Sequence, residues 1–537
     1  MLSRYLVNKF LDAGLDARDN NFENYLKDES RFEGWADVLI TAYTEVDVQN
    51  AISLCNETET PITVVSGKTS LTGAPVPSGG VILDVKNLNN INPNLPNKVG
   101  PGAILKNYKD FVDSVGLFFP PDPTSEDSCT IGGNVACNAS GALSYLYGPT
   151  RNYIEGLRVI LPTAVTINLQ RGVVFSDNGV FRIPKGTAYP YPENEMLIPA
   201  PSWKTESWTI LKNTAGFYAS DRMDLVDLFI GSEGILGVIV EITTKLLKRR
   251  RSYFSLIIYL PDRETTVYFV KALNMLKKLN TSSRNLNPDN IPQKMSFNAQ
   301  LLSSLNCSKF PLIIPSCMEW FGNSTASLLP HNYSKLLRDS YGAVFIEQEY
   351  DDQEQMLQTV TQWSELIEQF NLICGEKSGG IKTQVAFDIQ QSRAFKNLRQ
   401  SVPEKLNDRI HQGFTKIGSD FSVPPGRLED LLKMYDDQLP RGSSYVFGHI
   451  GNSHIHANIV PGTKAELWAA QQIMFEMSQQ IVALGGSIAG EHGIGKIKSK
   501  YLKMAVGKET VRKMKQIKRC LDPKNILNRN TLLSVTN

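Results

Sequence analysis

The sequence predicts an α+β protein built from two large units, and three observations predict it. The chain has 537 residues; at about 100 to 200 residues per domain that means two to four domains, a count that large α/β units lower. Short β-branched runs alternate with helical periodicity along both halves of the chain, which meet at the basic run Lys248-Arg249-Arg250-Arg251. The residues are 42% hydrophobic and 20% charged, the composition of packed cores rather than of a disordered or collagenous chain.

In the first half, Val48, Ile52 and Cys55 fall at helical spacing within Val46–Glu59. The short run Ile62–Val65 then reads as a strand ending at Ser66-Gly67. Further strands are expected at Val81–Val85, Leu157–Leu161 and Ile235–Ile242, with a helix near Ile104–Val115. Beyond the basic run, itself read as a solvated connector, Ser252–Tyr259 is strand-like and Glu264–Leu279 amphipathic. The pattern recurs as Ala343–Glu347 followed by Glu354–Phe370. Residues 280–335, rich in Asn and Ser, have the weakest periodicity and read as an irregular insertion.

Lys and Arg total 56 against 54 Asp and Glu, a formal charge of +2, so no global field draws the protein onto nucleic acid or anionic lipid. Seven scattered cysteines never form C-x-x-C, which argues against a disulfide framework, a zinc ribbon or an iron–sulfur cluster. No run approaches the roughly 18 apolar residues of a membrane span, and Asp12, Asp16 and Asp19 are acids that a targeting peptide avoids. The expectation is a cytoplasmic protein, at most peripheral to a membrane.

Chemistry concentrates first in three glycine-rich segments. Ser66-Gly67-Lys68-Thr69-Ser70-Leu71-Thr72-Gly73 follows a strand and presents backbone N–H groups, as a phosphate requires. A Walker A loop would need glycine at Ile62, so ATP is disfavoured. Residues 120–148, with Thr130-Ile131-Gly132-Gly133-Asn134, and then Gly231-Ser232-Glu233-Gly234, supply small residues that let backbone approach a large flat ligand.

In this order the segments resemble those of the FAD-dependent 2-hydroxy-acid dehydrogenases of the vanillyl-alcohol-oxidase (PCMH-type flavoprotein) superfamily, over residues 35 to 530 and thinly at 280–335. The resemblance implies a PCMH-type FAD-binding domain over 1–250, an α+β substrate (cap) domain with an antiparallel sheet over 251–480, and a segment, 481–537, returning to the flavin. It assigns Gly67, Thr69, Ser70, Leu71 and Gly73 to the cofactor, with Pro121, Gly132, Gly133, Asn134, Asn138, Gly141, Glu233 and Ile239. Lys68 stands where some relatives carry a flavin-linking His, so the FAD is expected to be noncovalent. Thr163-Ala164 replaces the family's Asp-Gly turn.

Four of the six histidines, His449, His454, His456 and His492, crowd the C-terminal part, which favours a metal or proton-transfer site over unrelated imidazoles. Spacing alone pairs His454 with His456, two apart on a strand. His449 has the opposite parity and joins them only if Gly451-Asn452-Ser453 turns the chain. The resembling motif instead places ligands at His449 and His456; His454 stands where many relatives have Asn, and its part is open. Residues 485–495 hold five glycines around Glu491-His492. The resemblance makes Glu491 the third metal ligand and His492 the catalytic base.

It also gives the substrate carboxylate to Arg399 and Asn458. Lys416 is a further substrate residue, although relatives usually carry that Lys where this chain has Gly418. The implied activity is oxidation of a D-lactate-like 2-hydroxy acid to the 2-oxo acid. A divalent cation, Zn²⁺ by its donor types, would bind substrate, and a quinone, cytochrome or electron-transfer flavoprotein would reoxidise the flavin. An alkylglycerone-phosphate-synthase-like transferase has His where Glu491 stands. A non-catalytic flavoprotein would not need the intact His/Glu set, and a metal hydrolase would leave the glycine-rich segments unexplained.

Overall fold

The expected helix after Thr44 forms because its first turn is closed from both sides. Thr44 accepts the Asp47 N–H and the Asp47 carboxylate accepts the Thr44 N–H, a capping box that starts helix Glu45–Thr58. Its buried stripe, Val48, Ala51, Ile52 and Cys55, lies in one core with Val38, Ile40, Ile62, Val81 and Leu83. Those residues belong to a four-stranded sheet in which Ile62–Val65, Val81–Asp84 and Val38–Thr41 run parallel and Asp16–Arg18 closes the edge antiparallel. The computed structural model describes residues 2–190, 195–203, 212–282, 307–374, 380–410 and 414–534.

A second, antiparallel sheet of five strands centres on Ile154–Ile160 and Val238–Thr244. At its Thr163-Ala164 turn, Ala164 adopts φ +63°, the left-handed conformation that a glycine takes without strain. Backbone bonds between Leu161 and Val165, with Gln49 and Asn56 donating to the turn carbonyls, hold it there.

Beyond Arg251 an eight-stranded antiparallel sheet runs in the order 382–386, 252–260, 342–350, 315–322, 444–449, 454–459, 417–418, with 421–422 also pairing onto 454–459. Strand Ser252–Leu260 is packed on both of its faces. Phe254, Leu256 and Ile258 face a core shared with Leu273, Trp363 and Leu366, from helices Arg263–Ser282 and Gln353–Cys374. Ile257 and Tyr259 face the opposite core with Phe395, Leu398 and Val402 of helix Ile389–Asn407. Covered on both faces, the strand has no polar side to alternate with.

The same cause corrects two expectations. The stretch 280–335 is not an irregular insertion throughout: Pro315–Gly322 is a strand with every residue buried, paired to 342–350 and 444–449, and His331–Arg338 is a helix. Residues 283–306 lie outside the described residues. Nor is the basic run wholly solvated, because Arg250 turns inward onto Glu347 at 2.6 Å and Glu349 at 2.9 Å.

The C-terminal segment returns to the first sheet. Ile62 donates to Ile526 and Asn528 to Ile62 across its edge strand, and the Asn528 side chain accepts the Val64 N–H. Among the described residues no helix is long and apolar enough to cross a membrane.

Candidate active site

Strands Ser444–His449 and His454–Ile459 form a hairpin in which His449 stands opposite His454 and Phe447 opposite His456. Cross-strand partners share a face, as do residues two apart on one strand. His449, His454, His456 and Asn458 therefore all project from the same face. The turn at Ile450–Asn452, closed by Ser453 at φ +53°, reverses the chain as the residue types require. Parity counted along the chain does not survive that reversal.

The glycine-rich segment crosses this face. Gly490 is pressed so closely on His454 that a Cβ there would stand 2.5 Å from the His454 Nε2, which explains why the segment is glycine at that point. Asp420, buried between 417–418 and 421–422, pins it. The Asp420 carboxylate accepts the backbone N–H groups of Glu491 and His492, at 3.2 and 3.0 Å, and the Lys498 ammonium at 2.9 Å.

Glu491 thereby reaches the histidines. Its Oε1 lies 3.0 Å from His449 Nε2 and 3.2 Å from His456 Nε2. Its Oε2 accepts from Lys212 Nζ at 2.7 Å and Ser140 Oγ at 2.8 Å. On the far side of His449, Nδ1 meets Glu319 Oε1 at 2.6 Å, and the other Glu319 oxygen lies 3.7 Å from Arg399. Burial opposes charge on His449, but Glu319 and Glu491 outweigh it and raise the imidazole from 6.5 to about 9. Burial likewise pushes Glu491 up, yet His449 and Lys212 hold it well below the ordinary carboxylate range.

His492 is the more open imidazole, its side chain 28% exposed. Nδ1 lies 3.5 Å from Asp420 and Nε2 3.8 Å from Glu491 Oε1, and its ring stacks on His456 with centroids 5.1 Å apart. Burial lowers it to about 4, so it is neutral at pH 7 and able to accept a proton.

These groups open onto a cavity of about 1290 Å³ lined by residues 64–72, parts of 123–141, Glu233 and 237–239. Of the sequence-assigned residues, Gly67, Thr69, Ser70, Leu71, Gly132, Gly133, Asn134, Gly141, Glu233 and Ile239 line it, and so do Arg399, Lys416, Asn458, His449, His456, Glu491 and His492; His454 lies behind them, fully buried. Gly73, Pro121 and Asn138 stand behind the wall. The Gly73 N–H is held by Asp28, Asn138 accepts the Arg151 N–H, and Pro121 is buried. Glu233, raised to about 7 by burial, spends its carboxylate on the backbone N–H groups of Ile494 and Gly495. Lys416 donates to Asn407 at 2.9 Å.

The residues fit a flavin dinucleotide and a cation. Among the described residues, Ser66 Oγ and Asn134 Nδ2 are buried in the cavity wall without partners, and a Cβ on Gly133 would meet only Thr130 Oγ1, at 3.4 Å. Such orphaned polar groups call for a polar ligand. His449, His454, His456 and Glu491 bring their ligand atoms within 4.8 Å of one another. The Arg399 Nε is also buried without a partner among the described residues, which suits an arriving carboxylate.

Residues 36–170 match the FAD binding domain, and residues 311–532 match the C-terminal domain of FAD linked oxidases. Together the two matches place the chain among the FAD-dependent oxidoreductases. It is 28% identical to the glycolate oxidase subunit GlcD of Bacillus subtilis (strain 168), over 93% of this chain and 89% of that one. It is 26% identical to a D-lactate dehydrogenase of Anaerostipes hadrus (94% and 92% covered). It is 27% identical to the mitochondrial D-2-hydroxyglutarate dehydrogenase of Danio rerio (92% and 78%). The fold is that of p-cresol methylhydroxylase, with TM-score 0.67 at 15% identity over 99% of this chain and 97% of that structure. The chain thus joins a PCMH-type FAD-binding domain to an α+β domain with an antiparallel sheet, and it is an FAD-dependent oxidoreductase.

Sequence reasoning gave no role to Lys212, Ser140, Glu319 or Asp420. Glu319 left a signal. It is the one acid in Pro-Ser-Cys-Met-Glu-Trp-Phe-Gly, and a carboxylate among such neighbours needs a buried partner.

Proposed function

We propose that this FAD-dependent oxidoreductase converts a small, D-lactate-like 2-hydroxy acid to its 2-oxo acid. The observation that carries the reading is the meeting of His449 Nε2, His456 Nε2 and Glu491 Oε1 beside His492, in the cavity that the glycine-rich segments line. The flavin, when bound, supplies the hydride acceptor, and a divalent cation held by His449, His456 and Glu491 supplies the Lewis acid for the substrate hydroxyl.

The remaining work falls to the chain's own side chains. Arg399 and Asn458, both buried in the cavity wall, hold the substrate carboxylate, with a fork geometry from the guanidinium. His492 Nε2 takes the hydroxyl proton, and Asp420 at its Nδ1 keeps the ring oriented. Loss of that proton together with a hydride from Cα leaves the 2-oxo acid, and turnover then needs an external electron acceptor. Lys416, also in the cavity lining, is a further residue for the substrate.

The test is anaerobic bleaching of the flavin by a panel of D- and L-2-hydroxy acids, with divalent metal measured on the same samples. Rapid bleaching by one enantiomer of a small hydroxy acid is the expected result. A flavin that no member of the panel reduces would end this reading.

A further inference from the structure

His454 stands where many of the resembling relatives carry Asn, and its environment is that of a ligand. It is fully buried, with 0% of its side chain exposed. Its Nε2 lies 2.9 Å from Asp420 Oδ1. Among the described residues the other hydrogen-bond partners of the Asp420 carboxylate are donors, the N–H groups of Glu491 and His492 and the Lys498 ammonium, with the His492 Nδ1 farther off at 3.5 Å. Asp420 therefore accepts from His454 too, so the proton sits on Nε2 and Nδ1 keeps its lone pair. That Nδ1 is buried with no hydrogen-bond partner among the described residues and lies 4.0 Å from Glu491 Oε2.

The other two imidazoles of the hairpin are held in the same way. His456 Nδ1 donates to the Ser419 carbonyl at 3.1 Å and His449 Nδ1 to Glu319 at 2.6 Å. In each case an acceptor-only oxygen takes the outer N–H and turns the inner nitrogen toward Glu491. An outer N–H fixed by a carboxylate or carbonyl is the arrangement that orients histidines on a metal, and here it occurs at three rings around one point. One ligand atom from each of these three rings and one from Glu491 lie within 4.8 Å of one another.

We infer that His454 is a fourth protein ligand, so that the cation is held by three histidines and one glutamate. The inference rests on the metal part of the proposed function. It also changes what the site accepts. Four protein donors fill a tetrahedral ion, so substrate oxygens reach the cation only if it takes five or six ligands, which favours ions such as Mn²⁺ or Fe²⁺ over a strictly tetrahedral Zn²⁺.

The test uses the FAD-loaded full chain, stripped of metal and titrated with Mn²⁺ and Zn²⁺ against a chromophoric chelator, followed by X-ray absorption fine structure on the loaded protein. His454→Asn and His454→Gln serve as variants, and unchanged FAD content certifies their fold. Three imidazoles are expected around the ion in the wild type and two in each variant. The affinity should fall by more than the roughly 10- to 100-fold that removal of an outer partner costs. Two imidazoles in the wild type would overturn this inference while leaving the His449–His456–Glu491 site standing. A wild-type chain that binds neither ion would overturn both.

Discussion

Metal capture near pH 7 should expel about one proton, and that proton should come from His449. The imidazole bridges two carboxylates, with Nδ1 2.6 Å from Glu319 and Nε2 3.0 Å from Glu491. Those neighbours raise it against burial from 6.5 to about 9, so both ring nitrogens carry protons in the metal-free site. A ligating nitrogen must be bare, so binding and deprotonation are coupled. Between pH 7 and 9 the affinity should rise about tenfold per unit, roughly 1.4 kcal/mol each, and flatten above that.

The folded-state value is raised, so the stability His449 contributes is fully present below pH 6.5 and is lost as the pH climbs through about 9. The unfolding midpoint of metal-free protein should fall across that window, and that of the metal-loaded form should not. Calorimetric titration in two buffers of different ionisation enthalpy counts the released proton directly. Glu319→Gln removes the largest carboxylate influence on His449, so it should reduce the release and bring the plateau to lower pH. An affinity that is flat from pH 7 to 9, with no buffer-dependent heat, would refute the reasoning.

Other consequences follow from the same geometry. His492→Ala should keep its metal and its colour but slow anaerobic flavin reduction by about 10² to 10⁴, the usual worth of a general base. Reduction at the wild-type rate in stopped flow would give the proton to another group. Lys212→Met strips the 2.7 Å ammonium from Glu491 and should destabilise the metal-free protein by about 3–5 kcal/mol, as breaking a buried pair does. The metal-loaded form should lose less, because the cation neutralises the same carboxylate, and equal losses in denaturant melts of both forms would count against it. Acid precipitation should release intact FAD. Lys68 donates to the Asn24 carbonyl, and burial raises the cavity thiols Cys129 and Cys137 to about 11 and about 12, leaving them protonated; flavin remaining in the pellet would show a covalent link.

Local features were legible in the sequence alone. Helix Glu45–Thr58 and its cap, strand Ile62–Val65, the glycine-rich segments and the C-terminal crowding of histidines are each written in a few consecutive residues. Their resemblance to known flavoproteins supplied the cofactor before any contact was seen. Tertiary structure decided the rest. Strand Pro315–Gly322 was unreadable because a strand buried on both faces shows no alternation, and it carries Glu319. Hairpin pairing, not spacing, put His449 on the face of His454 and His456. Lys212, Ser140 and Asp420 meet the Glu491-His492 segment from 279, 351 and 71 or 72 residues away along the chain. No periodicity encodes such separations. A buried carboxylate needs its counter-charges close in space, and the chain is free to bring them from anywhere its folded path allows.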